Sequence, residues 1–432
     1  EENRPLTFVF NGGPGASSAY LHMGGLGPKR IHFNDDGTIP KPPVQLVDNM
    51  ESWLTFSDLV FIDPIGTGFS RLHTKEDGKD SKSEGKDPKQ KEEYYNLKRD
   101  LESIGEFIVR FLSEHKRWES PIFLAGESYG GFRAACMSKR LQESHGVALN
   151  GVLIISPAFE FNVLIPTDYD LQGWIDTFPC FALAASWHNR SKKFPKDTPT
   201  ETILQDAEQF AHNQMLRMLS LGNMMDAAEK DSIIQEMSEY LGISVQKIKQ
   251  AEGRLTFHEF ARALLEDEGK VIGYYDSSIT GIDPFPNRAA FAGPDPTLSG
   301  IGPYFTAGIN THLRKYLELD TPKDYHLLSM DVHLAWKKEE NHIFSAHVSA
   351  TDELRYGMAL NPHMKVLIVH GYHDLVTPYS ASKRLVSQMR LNPQLEQNIA
   401  LKNYNGGHMF YAWKSSRIAF TKDAANFIQS AK

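Results

Sequence analysis

The sequence predicts an α/β protein with a mostly parallel central sheet, helices on both faces of the sheet and a helical insertion. Two observations support this fold class. Short apolar runs that end at glycine or proline alternate with longer helical segments. This alternation occupies both ends of the 432-residue chain and is missing between them. We therefore expect the two ends to build one sheet, because parallel strands require a covering helix between successive strands.

The predicted elements follow from runs of buried-type residues and from helical spacing. The six expected strands are 6–10, 59–62, 122–125, 151–155, 365–369 and 399–404. The expected covering helices are 94–114, 131–143 and 415–430.

The middle of the chain has a different composition and predicts a separate helical region. Residues 160–302 are rich in Met, Gln, Glu and Lys, show helical spacing at 232–241 and 257–265, and lack the apolar runs of buried strands. We therefore divide the chain into core residues 1–159, a helical cap insertion 160–302 and core residues 303–432. The charged segment 75–93 contains no large apolar residue and predicts a mobile solvated loop. A role of this loop in gating or partner binding is the alternative.

Composition restricts the classes of function. A formal net charge of −8 argues against a nucleic-acid-binding protein. No apolar run is long enough for a membrane span. Cys136 and Cys180 are the only cysteines, so at most one disulfide is possible, and cysteine usage does not indicate a compartment. The number of subunits cannot be predicted from these features.

The strongest catalytic motif is Gly-Glu-Ser-Tyr-Gly at 126–130, between a predicted strand and a predicted helix. In this context a G-x-S-x-G motif predicts a nucleophile elbow, with Ser128 as the nucleophile of an α/β-hydrolase fold. Glycines on both sides of the serine allow a sharp turn that exposes its hydroxyl group.

A serine nucleophile requires a histidine base that is oriented by a carboxylate. In this fold the acid and the histidine follow the serine in chain order, on loops after later strands. Asp374 follows strand 365–369. His408 follows strand 399–404, directly after two glycines and near the C-terminal end of the sequence. His370 and His373 could instead bind a metal, but no further ligand set is evident. We predict the triad Ser128, Asp374 and His408, with no metal and no cofactor.

The segment NGGPGASS at 11–18 follows the first predicted strand and predicts an oxyanion loop. Its partner in binding the oxyanion is the backbone N–H of Tyr129, the residue after the nucleophile. A phosphate-binding role is the alternative, but the segment lacks the P-loop lysine and the GxGxxG spacing.

Together these motifs resemble the serine carboxypeptidases, peptidase family S10. The resemblance runs nearly end to end and also includes DPIGTGFSR at 63–71, HGYHDLVTP at 370–378 and GGHM at 406–409. The segments at 164–187 and 361–378 are most similar to the bacterial branch. The resemblance implies an α/β-hydrolase fold and release of C-terminal residues from peptides or proteins through an acyl-enzyme on Ser128. It also implies secretion or a periplasmic location.

The resemblance assigns further roles to individual residues. Asn11 and Glu127 correspond to the residues that bind the substrate's terminal carboxylate, and Gly13 corresponds to an oxyanion donor that acts with Tyr129. Two carboxylates repel unless they share a proton, which predicts a protonated Glu127 in the complex and a mildly acidic optimum. Departures from the family pattern occur at Val9, Ala16 and Gly25. They keep open an esterase or acyl-transferring hydrolase on the same scaffold. A binding module without catalysis is the third alternative.

Overall fold

The computed structural model describes residues 3–72, 93–164, 166–336 and 348–432. Apart from its last residue, the predicted solvated loop 75–93 lies outside the described residues. None of the described helices is both long and apolar enough to span a lipid bilayer.

Six strands form the central sheet, and every neighbouring pair is parallel. The strands are β1 (Leu6–Phe10), β4 (Asp58–Phe61), β5 (Ile122–Glu127), β6 (Gly151–Ile155), β9 (Lys365–Gly371) and β10 (Ile399–Tyr404). Their order across the sheet is β10-β9-β6-β5-β1-β4. Strand β9 from the C-terminal part pairs with β6 from the N-terminal part, so the two ends of the chain form one sheet, as predicted.

Helices cover both faces of the sheet, and alternate residues of each strand face opposite layers. On one face, Phe8, Leu124 and Ile154 pack in a single apolar cluster with helices Leu97–Glu114 and Tyr129–His145. On the other face, Val9, Ala125 and Leu153 pack with helix Lys414–Ser430. Burial on both faces explains why the central strands are continuous apolar runs rather than alternating ones.

Helix boundaries differ from the predicted ones where local capping decides them. Helix Leu97–Glu114 begins three residues later than predicted because the Asn96 side chain accepts a hydrogen bond from the Arg99 N–H. Helix Tyr129–His145 begins directly after Ser128 and ends at Gly146, which adopts a left-handed conformation. The other described α-helices that pack around the core are Ala19–Leu21, Gly302–Thr311, Met330–Ala335, Thr351–Leu360, Tyr379–Gln388 and Pro393–Glu396.

The region between β6 and Gly302 is mainly helical and has an apolar core of its own. The longest helix of this region, Gln172–Trp187, is buried along most of its length. The other α-helices of the region are Phe161–Leu164, Thr200–Phe210, Leu216–Leu221, Ala227–Leu241, Val245–Gln250 and Phe257–Ala263.

This region also contains two short strands, which the sequence analysis did not predict. A short antiparallel hairpin joins β7 (Lys270–Ile272) to β8 (Thr280–Ile282). Strands of three residues are too short to show a period in the sequence, which is why the pattern missed them. A second antiparallel pair outside this region, β2 (Lys29–Ile31) with β3 (Leu46–Asp48), was not predicted for the same reason.

The two cysteines do not form a disulfide. Cys136 and Cys180 are both buried and unpaired.

Candidate active site

Ser128 occupies a sharp turn between β5 and the helix that follows. Its backbone has φ 62° and ψ −124°, a conformation that is strained for any residue with a β-carbon. The flanking glycines have a steric cause: a Cβ at Gly126 would lie 2.1 Å from the Gly130 carbonyl oxygen, and a Cβ at Gly130 would lie 2.7 Å from the Phe10 carbonyl oxygen. Ser128 is partly exposed between the buried residues Glu127 and Tyr129.

His408 and Asp374 meet on adjacent loops after β10 and β9. His408 Nδ1 lies 2.6 Å from Asp374 Oδ2, and the aspartate is fully buried. Asp374 Oδ1 accepts hydrogen bonds from the N–H groups of Val376 and Thr377, and the Thr377 hydroxyl lies 2.6 Å from Oδ2. Burial opposes the charged form of His408, but the Asp374 carboxylate outweighs this effect and raises the His408 pKa above its ordinary value.

Ser128 and His408 open onto one cleft of about 230 Å³. Asn11, Gly13 and Glu127 line the same cleft, so five of the seven predicted site residues share one cavity. Asp374 lies behind His408. The Tyr129 side chain is buried, and its hydroxyl donates to Asp100 Oδ2 at 3.0 Å. The role predicted for Tyr129 concerns its backbone N–H rather than this side chain.

The NGGPG loop passes directly over the first turn of the helix that begins at Tyr129. A Cβ at Gly12 would lie 2.5 Å from the Tyr129 backbone nitrogen and 2.7 Å from that of Gly130. Gly13 has φ +98°, a conformation that favours glycine. Glycines thus bring the loop backbone to the positive end of the helix dipole, where N–H groups can bind a negatively charged oxygen.

Asn11 and Glu127 form a buried polar pair at the cleft. Asn11 Nδ2 donates a hydrogen bond to Glu127 Oε2, and Asn11 Oδ1 accepts one from the Leu21 N–H at 3.0 Å. Burial raises the pKa of Glu127 to about 7, although nearby His408, Tyr411 and Asn11 favour the ionised form. No described residue forms a hydrogen bond with Glu127 Oε1. This carboxyl group is therefore readily protonated and retains an unused oxygen.

Two supporting groups were missed by the sequence analysis. Arg133 and Asp100 form a buried ion pair beneath the site, with Arg133 Nε 2.9 Å from Asp100 Oδ2. Arg133 also donates to the Asn11 backbone oxygen at 2.8 Å, and Asp100 accepts from Tyr129. The only sequence signal is the spacing of Tyr129 and Arg133 on one helix face, because Asp100 lies on another helix.

The second missed group, Asp276, lies in the turn between β7 and β8. Its Oδ2 accepts hydrogen bonds from the Gly407 N–H at 3.0 Å and from Trp413 Nε1 at 3.2 Å, while the adjacent Tyr275 carbonyl accepts from the His408 N–H. Burial raises the pKa of Asp276 to about 6. The helical region thereby fixes the loop that carries His408, a contact that no local motif signals.

The alternative prediction that His370 and His373 bind a metal ion has no support in the described part of the chain. His370 Nε2 lies 2.8 Å from Ser382 Oγ, and His373 Nδ1 lies 3.2 Å from Ser277 Oγ. Burial lowers their pKa values to about 4 and about 3, so both are neutral and bonded within the protein. Across the described ranges, no three His, Cys, Asp or Glu side chains come together as a metal ion requires.

Comparison with known proteins identifies one family. The family model described as serine carboxypeptidase, Peptidase_S10, matches residues 1–425. Among curated relatives, Serine carboxypeptidase-like 5 of Arabidopsis thaliana is 30% identical over 177 residues, which are 38% of this chain and 36% of the relative. Pheromone-processing carboxypeptidase KEX1 of Saccharomyces cerevisiae is 35% identical over 135 residues, 30% of this chain and 16% of the relative. These alignments thus span well under two thirds of either relative.

A solved structure supports the fold over nearly the whole chain. The crystal structure of Kex1(Δ)p, a prohormone-processing carboxypeptidase from Saccharomyces cerevisiae, covers 98% of this chain and 83% of its own, with a TM-score of 0.55 and 19% identity. At this level of identity the likeness establishes the fold alone. The predicted fold class, an α/β-hydrolase with a mostly parallel sheet, is confirmed.

Proposed function

We propose that this chain, which belongs to the serine carboxypeptidase family, hydrolyses the C-terminal peptide bond of peptides or proteins. The observation that carries the proposal is the pairing of a nucleophile with a carboxyl group of raised pKa. Ser128 and Glu127 line the same cleft, and the pKa of Glu127 is raised to about 7. A protonated carboxyl group beside a serine nucleophile suits a substrate that ends in a carboxylate.

In the proposed mechanism, Ser128, His408 and Asp374 act as a triad. Ser128 Oγ attacks the carbonyl carbon of the last peptide bond while His408 accepts the serine proton. Asp374 keeps Nδ1 of the imidazole protonated and stabilises its charged form, consistent with the 2.6 Å contact. His408 then donates its proton to the leaving amino group as the C–N bond breaks. A water molecule, deprotonated by His408, hydrolyses the ester on Ser128.

The negative charge of the tetrahedral intermediate is assigned to the N–H groups of Gly13 and Tyr129. The close approach of the glycine loop to the helix start supports this assignment. Donors that are already in position stabilise the developing charge without reorganisation, which is commonly the largest catalytic contribution.

Asn11 and Glu127 are proposed to bind the substrate's terminal carboxylate. With Glu127 protonated, one proton and one negative charge are shared between the two carboxyl groups, so they attract each other instead of repelling. Binding of free-acid substrates should weaken as the pH rises through the Glu127 pKa of about 7. The base His408 must be neutral for attack, so its raised pKa limits activity at low pH. These two limits give a bell-shaped profile with its maximum near the Glu127 pKa, and the mildly acidic optimum expected from the sequence stays a prediction.

The other residues that line the cleft indicate which substrate side chains are preferred. Its remaining lining is mostly apolar, and it includes Ala16, Leu298, Leu328, Met330 and Met409. We propose a preference for apolar side chains next to the bond that is cleaved, since apolar surface buried there strengthens binding. Residues 160–302 are proposed as a cap, with 1–159 and 303–432 as the core, because Tyr275 and Leu298 of this region line the cleft.

Membership of the bacterial branch and a secreted or periplasmic location stay predictions. The branch rests on the segments at 164–187 and 361–378, whereas the curated relatives compared above come from a plant and a yeast. Proteolytic activity in a fractionated host that produces the chain natively would test the location.

The decisive experiment compares a blocked dipeptide that has a free C-terminus with its C-terminal amide at pH 5. We expect kcat/KM for the free acid to be larger by at least about tenfold, the effect of one hydrogen bond to a charged group. Equal rates would overturn carboxypeptidase specificity. Fast turnover of a p-nitrophenyl ester with neither peptide cleaved would favour the esterase alternative. Fluorophosphonate labelling that persists in Ser128→Ala would remove Ser128 as the nucleophile, and no labelling of either protein would favour the binding module.

A further inference from the structure

The Glu127 carboxyl group has a second polar neighbour, the Tyr411 hydroxyl, which no motif assigns to the site. Both side chains are buried, with Glu127 3% and Tyr411 0% exposed. Among the described residues, neither Glu127 Oε1 nor the Tyr411 hydroxyl has a hydrogen-bond partner. The two groups interact electrostatically. Tyr411 favours the ionised form of Glu127, which accepts hydrogen bonds, and Glu127 favours the protonated form of Tyr411, which donates one. Two interacting side chains that each bury an unpaired polar atom are unusual in a native fold.

The fold holds Tyr411 in this place from two sides. Tyr411 lies three residues after His408, in the short helical turn Phe410–Ala412, so the same loop carries both groups. Its ring packs against Gly24 and Gly25, where a Cβ at Gly24 would lie 2.4 Å from the ring. The absence of a side chain at Gly24 is what leaves room for the ring.

The other groups that face Glu127 are few. His408 favours its ionised form and Asp374 opposes it, while Asn11 donates to Oε2. Tyr20, which also lines the cleft, is affected by the charge of Glu127. Of these neighbours, Tyr411 has a fully buried hydroxyl group without a hydrogen-bond partner among the described residues.

We propose that Tyr411 is a positioning residue for the terminal carboxylate of the substrate: its hydroxyl donates a hydrogen bond into the carboxyl pair that Glu127 forms with the substrate. The inference rests on the proposed carboxypeptidase function. The pair carries one proton and one negative charge, and Asn11 Nδ2 already donates to Glu127 Oε2. A second donor on the other oxygen stabilises the negative charge and fixes the orientation of Glu127.

The proposal makes two linked expectations for Tyr411→Phe, which removes only the hydroxyl group. Loss of a donor to a charged pair should raise KM for free-acid peptides by about tenfold or more while kcat changes little. In the free enzyme the hydroxyl favours the ionised form of Glu127. Its loss should therefore raise the Glu127 pKa and move the alkaline limb of the kcat/KM profile to higher pH.

Tyr404→Phe is the matched control. Tyr404 is buried in the same apolar cluster and its hydroxyl donates to Asp423, outside the cleft. It should leave KM and the alkaline limb unchanged. A C-terminal amide or ester substrate is the second control, because it brings no carboxylate to the pair, so Tyr411→Phe should alter its KM by less than about twofold.

Several results would overturn the inference. An equal loss of activity on free-acid and ester substrates, with an unmoved alkaline limb, would show that Tyr411 only supports the packing. An unchanged KM for free-acid peptides in a folded Tyr411→Phe protein would also overturn it. If the wild-type protein does not prefer free acids to amides, the proposed function itself is wrong. The kinetics of the wild-type protein alone show this, without any variant.

Discussion

Two polar clusters meet at Ser128, and they differ in how completely their atoms are paired. In the His408 cluster, formed by His408, Asp374 and Thr377, both oxygens of Asp374 accept two contacts each. In the Glu127 cluster, formed by Asn11, Glu127 and Tyr411, Glu127 Oε1 and the Tyr411 hydroxyl have no partner in the described structure. A fully paired cluster holds one geometry, whereas a buried, partly paired one is stabilised by a ligand that supplies the missing bonds. The first cluster suits chemistry, and the second suits recognition.

The sharpest test of this comparison is Asp374→Asn, in the fully paired cluster. The amide would favour the wrong tautomer of His408, so kcat should fall about 10⁴-fold. The loss should be equal for free-acid peptides and for esters, because chemistry is shared by both. Steady-state kinetics with both substrates would check it, and Asp423→Asn, at an acid that contacts Lys402 and Tyr404, is the control. A loss confined to free acids would break the comparison.

Gly12→Ala tests the loop that lies between the two clusters. The new Cβ would meet the Tyr129 nitrogen at 2.5 Å, so the loop or the helix start must shift. A displacement of this size at a catalytic centre should lower kcat about 100-fold on both substrate classes. Gly302→Ala, where a Cβ meets nothing within 4 Å, is the control and should retain full activity. Unaltered turnover in Gly12→Ala would argue against oxyanion binding at this loop.

Glu127→Gln should affect recognition only. The glutamine is neutral at every pH, so the alkaline limb that we assign to the Glu127 pKa of about 7 should disappear from the free-acid profile. Below that pH the variant should lose about 30-fold in kcat/KM on free acids, because the shared proton is gone. Ester turnover should be nearly unaffected. An alkaline limb that persists in the variant would assign that ionisation to another group.

The smallest effect is expected for Asp276→Asn. The amide keeps only one acceptor oxygen. If this oxygen serves the Gly407 N–H and Trp413 Nε1, the Ser278 N–H loses its partner; if it turns to Ser278, both donors of the His408 loop lose theirs, and either loss loosens the contact that fixes this loop. We expect kcat to fall about tenfold for both substrate classes with little change in KM. Urea unfolding would separate this effect from global destabilisation, and Asp267→Asn, at an ion pair of the insertion with Arg190, is the control. A change restricted to KM would place Asp276 with the Glu127 cluster instead.

The sequence predicted the sheet well because its four inner strands, β1, β5, β6 and β9, are buried on both faces, while the edge strands β4 and β10 are partly exposed. Strands β1, β6 and β10 have their predicted bounds, and the others differ by one or two residues. Apolar runs between glycine and proline are a local signal that survives without the structure. The hairpins β2–β3 and β7–β8 have three residues per strand, and a run of that length carries no such signal.

The sequence by itself determined the residues that motif and chain order can mark: Ser128 in its glycine turn, and Asp374 and His408 after their strands. It also marked Asn11 and Glu127 through resemblance. The tertiary structure decided what surrounds them. Tyr411 beside Glu127, Asp276 beneath the His408 loop and the Asp100–Arg133 pair beneath Asn11 join segments far apart in the chain. Such contacts depend on packing across the fold, whereas a local sequence pattern reflects only residues that are close together in the chain.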